Sequence, residues 1–458
     1  MIALFDEFLE KHQVLTATSD LLHYGKDHAE YFSPTPAFIL LPENIQQVQQ
    51  IVALCNANQL TLVPSGGRTG LSGGAVATNG EIVLSLERMR TILNVKALDR
   101  TLTCQAGVIT ENIHEEAAKH DLYFPIKLAS QGSSQIGGNI ATNAGGVNVI
   151  KYGCVRDWVL GLKIVTGKGT LLDLNGSLYK NQTGYDLKSL IIGSEGTLGI
   201  IVEATLKLTQ LPTDITRVLC AVESIDSVHP LLAVIREKFE QLSAFEYFAD
   251  QALQFVLKHN ELRAPFQQQH PYFVLIEIEN TSRNKIENAF VEVFSAGLVS
   301  DVIISASAKQ AREIMGLREL ISETLSSHHT VHRNDLSVSV GDAIAFIKDF
   351  SDLTQKEYPQ FPVIVYGHLG DGNLHVEIIK PEELSVDDFH KHCQAKDCKI
   401  FELVQKYEGS ISAEHGVGLL KKPYLSFSRS KPEIQLMRDI KKIFDPNGIL
   451  NPGKIFDP

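Results

Sequence analysis

The sequence predicts an α+β protein of more than one domain, and three features of the chain support this prediction. The chain has 458 residues, which is enough for two or three domains. Residues 33–67 read as strand, helix and strand, and similar apolar runs then alternate to about Leu208. After Pro212 glycine becomes rarer, and longer helical patterns separate the strands.

Composition and charge exclude several classes of protein. The apolar content of 44% is ordinary for a folded chain, and the net charge of −12 comes from interspersed acids and bases. Because the chain has no basic block or basic aromatic stripe, nucleic-acid binding is not expected. None of the six cysteines forms a Cys-x-x-Cys pair, which argues against a disulfide framework and an iron–sulfur module and favours a reducing cytoplasm.

The ends of the chain give two further expectations. The first residues, "MIALFDEFLEKHQ", carry acids early, so they predict an amphipathic helix and not a signal peptide. No apolar stretch approaches the ~18 residues of a membrane-spanning helix. Near the other end, "KPEIQLMRDIKKIF" has helical spacing and is followed by the glycine turns of "DPNGILNPGKIF".

Three segments organise the predicted fold. Residues 1–210 contain the strand "AFILL", the amphipathic helix "NIQQVQQIVALCNA" and the strand "LTLV", and then a glycine-rich region. Residues 211–411 form a second α+β domain with the strand "YFVLIEIE" and the helices "LLAVIREKFEQ" and "SAKQAREIMGLRELISETLS". Residues 412–458 are too few for a domain, so we expect them to pack on the first one.

Two stretches are dense in glycine, "PSGGRTGLSGG" from Pro64 and "QGSSQIGGNIATNAGG" from Gln131. Glycine after a strand lets backbone N–H groups approach and hold a pyrophosphate, whereas the alternative is a mobile loop. Interleaved serine, threonine and asparagine donors favour the first interpretation. No G-x-G-x-x-G is present, which disfavours a Rossmann dinucleotide site.

The stretch "GHLGDGNLH" places two histidines around an Asp-Gly pair. If Asp371 and Gly372 form a two-residue hairpin turn, His368 faces His375 across the strands, with Cβ atoms ~5 Å apart. Two imidazoles at that distance suit a metal ion, with a carboxylate as a further ligand. For an isolated pair the ordinary interpretation is two histidines that happen to flank a turn. Downstream, "SAEHGVG" offers Glu414 and His415.

The glycine stretches, together with "IIGSEGTLGIIVEATLKL" and "DPNGILNPGKIF", resemble the FAD-linked oxidase family of the vanillyl-alcohol-oxidase type, in order along nearly the whole chain. The resemblance implies a two-subdomain FAD-binding domain, an α+β substrate or cap domain, and a C-terminal segment that completes the active site. The first glycine loop holds no histidine, so FAD is expected to bind non-covalently. The residues implied to contact FAD are Pro64, Ser65, Gly66, Gly67, Arg68, Thr69, Gly70, Ser72, Gly132, Ser133, Gly137, Gly138, Thr142, Asn143, Gly146, Glu195, Gly199, Ile201 and Asn451.

"YGHLGDGNLH" and "SAEHGVG" resemble motifs of one branch of that family, the D-2-hydroxy-acid dehydrogenases, and most of all those that oxidise D-2-hydroxyglutarate. The resemblance implies that His368, His375 and Glu414 bind a divalent metal, zinc first and manganese, iron or cobalt otherwise. It also implies that His415 is the base that removes the hydroxyl proton.

The resemblance assigns the substrate contacts to one stretch and one strand. Arg318 and Ser322 match the arginine and the small hydroxyl residue of the family's substrate-binding stretch, and Arg333 stands where relatives often carry lysine. Glu377 replaces an asparagine that is expected to touch the substrate. An unpaired carboxylate there would repel an anionic substrate.

Other functions stay open at this point. D-Lactate or glycolate dehydrogenase is the nearest alternative, and a flavin- and metal-binding sensor without turnover is the alternative of another class. The electron acceptor is expected to be a separate carrier, such as an electron-transfer flavoprotein, a quinone or a cytochrome. We also expect a homodimer in the cytoplasm, with peripheral contact to the inner face of the membrane as a variant.

Overall fold

The computed structural model describes residues 1–29 and 31–457 and divides them into two units. The first unit comprises the described residues within 1–145, 153–211 and 414–457, and the second comprises residues 146–152 and 212–413. Within the described residues, no helix is long and apolar enough to cross a membrane. All six cysteines are free thiols.

The strands, in chain order, are β1 (Val14–Leu15), β2 (Ile39–Leu40), β3 (Leu62–Ser65), β4 (Ile82–Ser85), β5 (Ile92–Lys96), β6 (Thr101–Gln105), β7 (Leu122–Tyr123), β8 (Val159–Val165), β9 (Leu171–Leu174), β10 (Ile200–Lys207), β11 (Thr209–Gln210), β12 (Ile215–Val222), β13 (Leu242–Ala249), β14 (Tyr272–Glu279), β15 (Asp301–Ile304), β16 (Val331–Ser337), β17 (Val363–Gly367) and β18 (Asn373–Ile379).

The α-helices, in chain order, are α1 (Thr18–Tyr24), α2 (Ile45–Asn58), α3 (Thr110–Ala118), α4 (Ile136–Thr142), α5 (Val149–Tyr152), α6 (Val155–Trp158), α7 (Leu187–Ile191), α8 (Val228–Lys238), α9 (Asp250–His259), α10 (Arg283–Ser295), α11 (Ala308–His328), α12 (Ala343–Glu357), α13 (Val386–Lys406) and α14 (Lys431–Phe444). Short 3₁₀ turns lie at Ile2–Leu4, Lys11–Gln13, Ile225–Ser227, Val340–Asp342 and Lys422–Phe427.

The predicted α+β class is confirmed, and the described residues of the first unit form three sheets. Their strand orders are β1-β2-β4-β3, β5-β6-β10-β8-β9 and β11-β7. Helix α2 shows why the local sequence folds as it does: Asn44 caps its first turn by accepting from the Gln47 N–H at 2.9 Å, and its apolar residues at helical spacing are buried. The C-terminal segment belongs to this unit, because Leu62 of β3 donates to the Ile449 carbonyl at 2.8 Å.

The second unit is built on one antiparallel sheet of seven strands, in the order β15-β12-β14-β13-β17-β18-β16. Strand β14 is buried along nearly its whole length, and its two glutamates, Glu277 and Glu279, are buried with its apolar residues. Helix α11 packs its apolar face into a core shared with β14 and β17, and Ser307 caps its first turn.

The helix predicted at the N-terminus is wrong. Two 3₁₀ turns stand there instead, at Ile2–Leu4 and Lys11–Gln13. The two buried anchors Phe5 and Leu9 need only a single helical turn, which the Leu9 N–H closes by donating to the Phe5 carbonyl at 2.9 Å. Residues 10–12 are exposed, so no apolar contact extends the helix directly after Leu9.

Candidate active site

The two glycine segments lie against each other in the first unit. A Cβ atom on Gly67 would overlap the backbone of Ser133, and one on Gly66 would lie 3.7 Å from the Cα of Gly138. Gly138 itself borders open space, because a Cβ there would meet no atom within 4 Å. The glycines therefore permit a close backbone approach and leave one side of the contact accessible to a ligand.

Buried polar atoms beside these segments fit a polar cofactor. Ser65 Oγ, Gln135 Oε1 and Ser194 Oγ are buried and have no hydrogen-bond partner among the described residues. Such unsatisfied atoms are costly in a folded protein unless a ligand or water completes them. A nucleotide cofactor such as FAD, which carries hydroxyl and phosphate groups, matches this set of donors and acceptors.

The residues named from the sequence as FAD contacts occupy different kinds of position. Arg68 stacks 4.6 Å from the centroid of the Tyr24 ring, and Asn143 accepts from the Arg156 N–H at 3.0 Å. Ile201 lies in β10 opposite Ile164, and Gly199 also packs against Ile164, so these two have a packing role. The remaining residues of that group lie in the two glycine segments, except for Glu195, which lies between α7 and β10, and Asn451, which lies in the C-terminal segment that returns to β3. Gly146 is counted with the second unit.

The segment that carries Glu414 and His415 is fixed within the first unit by Ser72 and Glu195. Ser72 Oγ donates to the carbonyl oxygen of His415 at 3.0 Å. The two carboxylate oxygens of Glu195 accept the N–H groups of Val417 and Gly418, each at 2.7 Å. Burial raises the pKa of Glu195, and these two N–H groups act in the opposite direction. Ser72 and Glu195 therefore hold the backbone that carries His415.

The histidine pair lies at the end of a hairpin in the second unit, but the predicted strand register is wrong. His375 of β18 stands opposite Tyr366 of β17, and β17 ends at Gly367. His368 therefore lies in the turn, where its carbonyl accepts from the Asn373 N–H at 3.3 Å. The shift is two residues, which keeps both histidines on one face. Their ring centroids are 5.2 Å apart.

A buried acid orients His368 and a second buried acid lies beside His375, and sequence reasoning missed both acids. Glu246 of β13 accepts a hydrogen bond from His368 Nδ1 at 2.9 Å, when that nitrogen carries the proton. Asp335 of β16 stands directly opposite His375, with Oδ1 3.7 Å from Nδ1. A charged residue inside the apolar strand "LSAFEYFA" is the one local signal that could have indicated Glu246.

The donor set of the second unit suits a divalent metal. Asp335 and His375 offer ligand atoms that lie within 4.8 Å of each other. Asp335 is itself held by the Asn373 side chain at 2.9 Å and by the Ala413 N–H at 3.0 Å. Glu414 is the next residue along the chain, and its Oε1 lies 3.6 Å from His415 Nε2. Imidazole and carboxylate together are the ligands that zinc and related ions bind.

Arg318 is a buried cation on helix α11. Its Nε lies 2.9 Å from Glu246 Oε2, and its guanidinium stacks 4.8 Å from the centroid of the Tyr366 ring. The side chain is only 5% exposed, and Nη2 is buried without a hydrogen-bond partner among the described residues. A buried guanidinium with an unused donor edge is suited to an anionic ligand.

Glu377, which departs from the family pattern, has two partners. Arg333 stands opposite it in the β16–β18 pairing and approaches it to 3.3 Å, and the Tyr366 hydroxyl donates to it at 3.0 Å. Burial, and next the charge of Glu377, raise the pKa of Tyr366, so the phenol stays protonated and able to donate. Ser322 also interacts with the Tyr366 hydroxyl. The carboxylate of Glu377 is therefore paired.

Two family models match the chain. "FAD binding domain" matches residues 36–175, and "FAD linked oxidases, C-terminal domain" matches residues 211–455. Among solved structures, p-cresol methylhydroxylase with substrate bound has a TM-score of 0.80 at 14% identity, covering 100% of this chain and 96% of that chain. At that identity the likeness concerns the fold alone.

Curated relatives match over nearly the whole length. A D-2-hydroxyglutarate dehydrogenase of Stutzerimonas stutzeri is 49% identical and covers 99% of both chains. One of Xanthomonas citri pv. viticola is 48% identical, over 96% of this chain and 94% of the relative. A D-2-hydroxyglutarate–pyruvate transhydrogenase of Saccharomyces cerevisiae is 31% identical, over 99% and 93%.

Proposed function

We propose that this chain, which belongs to the FAD-linked oxidases, oxidises D-2-hydroxyglutarate to 2-oxoglutarate. The reason is that relatives matching nearly its whole length are named D-2-hydroxyglutarate dehydrogenases. It is an FAD-dependent dehydrogenase, and the substrate is the proposed part. The observation that carries the proposal is the buried guanidinium of Arg318, whose Nη2 has no hydrogen-bond partner among the described residues. The same guanidinium pairs with Glu246, and Glu246 also contacts His368.

In this proposal each group has one task. Arg318 binds the distal carboxylate of the substrate, and Ser322 lies one helical turn further along the same helix. His415 accepts the proton of the 2-hydroxyl group, and its backbone is held by Ser72 so that the imidazole is positioned before the substrate arrives.

The cofactors supply the remaining chemistry. When bound, FAD accepts the two electrons and the hydrogen that leave Cα. A divalent ion at His368, His375 and Glu414 would lower the pKa of the substrate hydroxyl. Imidazole and carboxylate ligands fit such an ion, and the contact of His368 Nδ1 with Glu246 supports His368 as one of them. Asp335, which has an oxygen within 4.8 Å of a His375 nitrogen, is a further carboxylate that could join the set.

The electrons then pass to a separate acceptor, for which an electron-transfer flavoprotein, a quinone and a cytochrome are the classes to test. The yeast relative is named a transhydrogenase with pyruvate, so a 2-oxo acid belongs in the same assay. The homodimer, the cytoplasmic location and the peripheral membrane contact stay predictions.

A second candidate is oxidation of a short acid such as D-lactate. The observation that favours it is the pairing of Arg333 with Glu377, which leaves one fewer cation for a distal carboxylate. D-Lactate has no such carboxylate, so it does not need that cation.

The test follows flavin bleaching in anaerobic protein mixed with D-2-hydroxyglutarate, D-lactate or their L-forms. We expect bleaching by D-2-hydroxyglutarate, and we expect Arg318→Met to weaken it about 100-fold with little effect on D-lactate. Arg312→Met, an exposed position on the same helix, is the matched control and should leave both rates unchanged. Bleaching by D-lactate alone would favour the second candidate, and no bleaching by any D-acid would refute both.

A further inference from the structure

Glu246 is a buried acid that no role in the reaction described so far explains. It lies in the middle of β13, its residue exposure is 0%, and its neighbours along the strand are aromatic. A carboxylate in such a position is expensive unless its charge is compensated. The compensation comes from two groups, the Arg318 guanidinium and the His368 imidazole.

The two carboxylate oxygens of Glu246 divide their contacts in a defined way. Oε1 lies 2.9 Å from His368 Nδ1, and Oε2 lies 2.8 Å from the same nitrogen. Oε2 also lies 2.9 Å from Arg318 Nε. One carboxylate therefore contacts a proposed metal ligand and a proposed substrate-binding residue at the same time.

The contact with His368 fixes the chemistry of its ring. When Nδ1 donates to a carboxylate, the imidazole keeps the tautomer in which Nε2 can bind a metal, and it becomes a better ligand. The contact with Arg318 is an ion pair of 2.9 Å, and neither Nε nor Nη2 of the guanidinium forms a hydrogen bond within the described residues. Glu246 therefore holds the charge of the guanidinium in place, and Nη2 stays available to a ligand.

We propose that Glu246 is a positioning residue that orients His368 for metal binding and Arg318 for carboxylate binding, and so couples the two. This inference rests on the proposed function, because both roles belong to the same site. It assigns Glu246 a role that buried charge pairing alone would not have.

Glu277 provides a matched control in the neighbouring strand. It is also 0% exposed and pairs with an arginine, with Arg217 Nη2 2.7 Å from Oε2, and its Oε1 accepts from Asn148 at 2.9 Å. Glu277→Gln therefore removes a buried carboxylate that pairs with an arginine, as Glu246→Gln does, but at a position away from the two histidines. It should lower thermal stability and leave metal affinity unchanged.

The experiment titrates Zn²⁺ against a competing chelator in FAD-loaded wild-type protein, Glu246→Gln and Glu277→Gln. We expect Glu246→Gln to bind Zn²⁺ about 10- to 100-fold more weakly. We also expect its KM for D-2-hydroxyglutarate to rise about 10-fold and its KM for D-lactate to change less, because only the former uses Arg318. If Glu246→Gln does not fold, Glu246→Asp keeps the charge but shortens the side chain, and the same losses are expected of it.

The outcomes separate this inference from the proposed function. If the folded Glu246 variant binds Zn²⁺ as tightly as wild type does, the positioning role is overturned and the metal site still stands. The same loss in Glu277→Gln would also overturn it, because a general effect of burying an unpaired arginine would then explain the result. Wild-type protein that binds no divalent ion would refute the metal site itself, and the inference with it.

Discussion

The pairing of Arg333 with Glu377 predicts an asymmetric response to substitution. The carboxylate side chain is 3% exposed, whereas the guanidinium side chain is 23% exposed. At their separation of 3.3 Å the attraction is about 5 kcal/mol for an effective dielectric constant of about 20. Arg333→Met leaves a buried charge without its partner, whereas Glu377→Gln leaves a cation that can reach water.

The expected free energies of unfolding follow from this difference. Arg333→Met should lose about 3 kcal/mol, at the lower end of the usual cost of breaking a buried pair. Glu377→Gln should lose about 1 kcal/mol, since the amide still accepts from the Tyr366 hydroxyl. The double variant should lose less than the sum of the two, with a coupling energy of about 2 kcal/mol.

Thermal unfolding of the FAD-loaded protein measures these differences. A loss of 3 kcal/mol in a unit of this size corresponds to a Tm lower by about 6–12 °C. Arg312→Met should not change Tm, because that side chain is exposed. Equal losses in the two single variants, together with a loss in the double variant that equals their sum, would show that the pair carries no coupling and would refute the reasoning.

Three further predictions test other parts of the molecule. Glu195→Ala leaves two backbone N–H groups of the His415 segment without their acceptor, so we expect a stability loss of about 2–4 kcal/mol and a lower kcat, and an unchanged kcat would contradict the holding role. Burial raises the pKa of Asp27 to about 6 from a usual value of 3.8, so wild type loses stability as pH rises through that interval. Asp27→Asn removes this loss, and its Tm relative to wild type should therefore rise by the equivalent of about 2 kcal/mol between about pH 4 and about pH 7; a difference independent of pH would contradict it. Removal of bound metal with a chelator should raise the Kd for D-2-hydroxyglutarate about 10-fold or more while leaving bound FAD in place, as read from substrate titration of the chelated protein and from its flavin spectrum.

Periodicity and turn chemistry predicted most of the elements that position the site. The strands at β3 and β14 and the helices α2, α8, α11 and α14 lie where apolar spacing indicated them. The two-residue hairpin was wrong because the connection is longer: β17 ends at Gly367, β18 begins at Asn373, and the Asn373 N–H donates to the His368 carbonyl at 3.3 Å. The φ of Gly372 is +87°, and a Cβ there would overlap the carbonyl of Val338, while the Val338 N–H donates to the Gly372 carbonyl at 3.1 Å. Gly372 therefore lies inside the longer turn, where it supplies the positive φ, and it also contacts the segment at Val338.

The partners of the site residues could not be read from the sequence. Glu246 and His368 are 122 residues apart, and Asp335 reaches His375 only because β16 pairs with β18. Local patterns do not give the order of strands in a sheet. For the same reason Arg333 and Glu377 appeared as two separate departures from the family pattern, although the β16–β18 register makes them one pair.

The charges of the second unit connect these pairs to substrate binding. Arg318 is matched by Glu246 and Arg333 by Glu377, and Asp335 adds a third carboxylate beside His375. Without a metal ion these five groups carry a net negative charge, which would disfavour a dianionic substrate. A divalent cation reverses that balance, so the metal should contribute to substrate affinity as well as to the reaction. This is why chelation is expected to raise Kd. If the ion served only the chemical step, its removal would lower kcat and leave Kd unchanged.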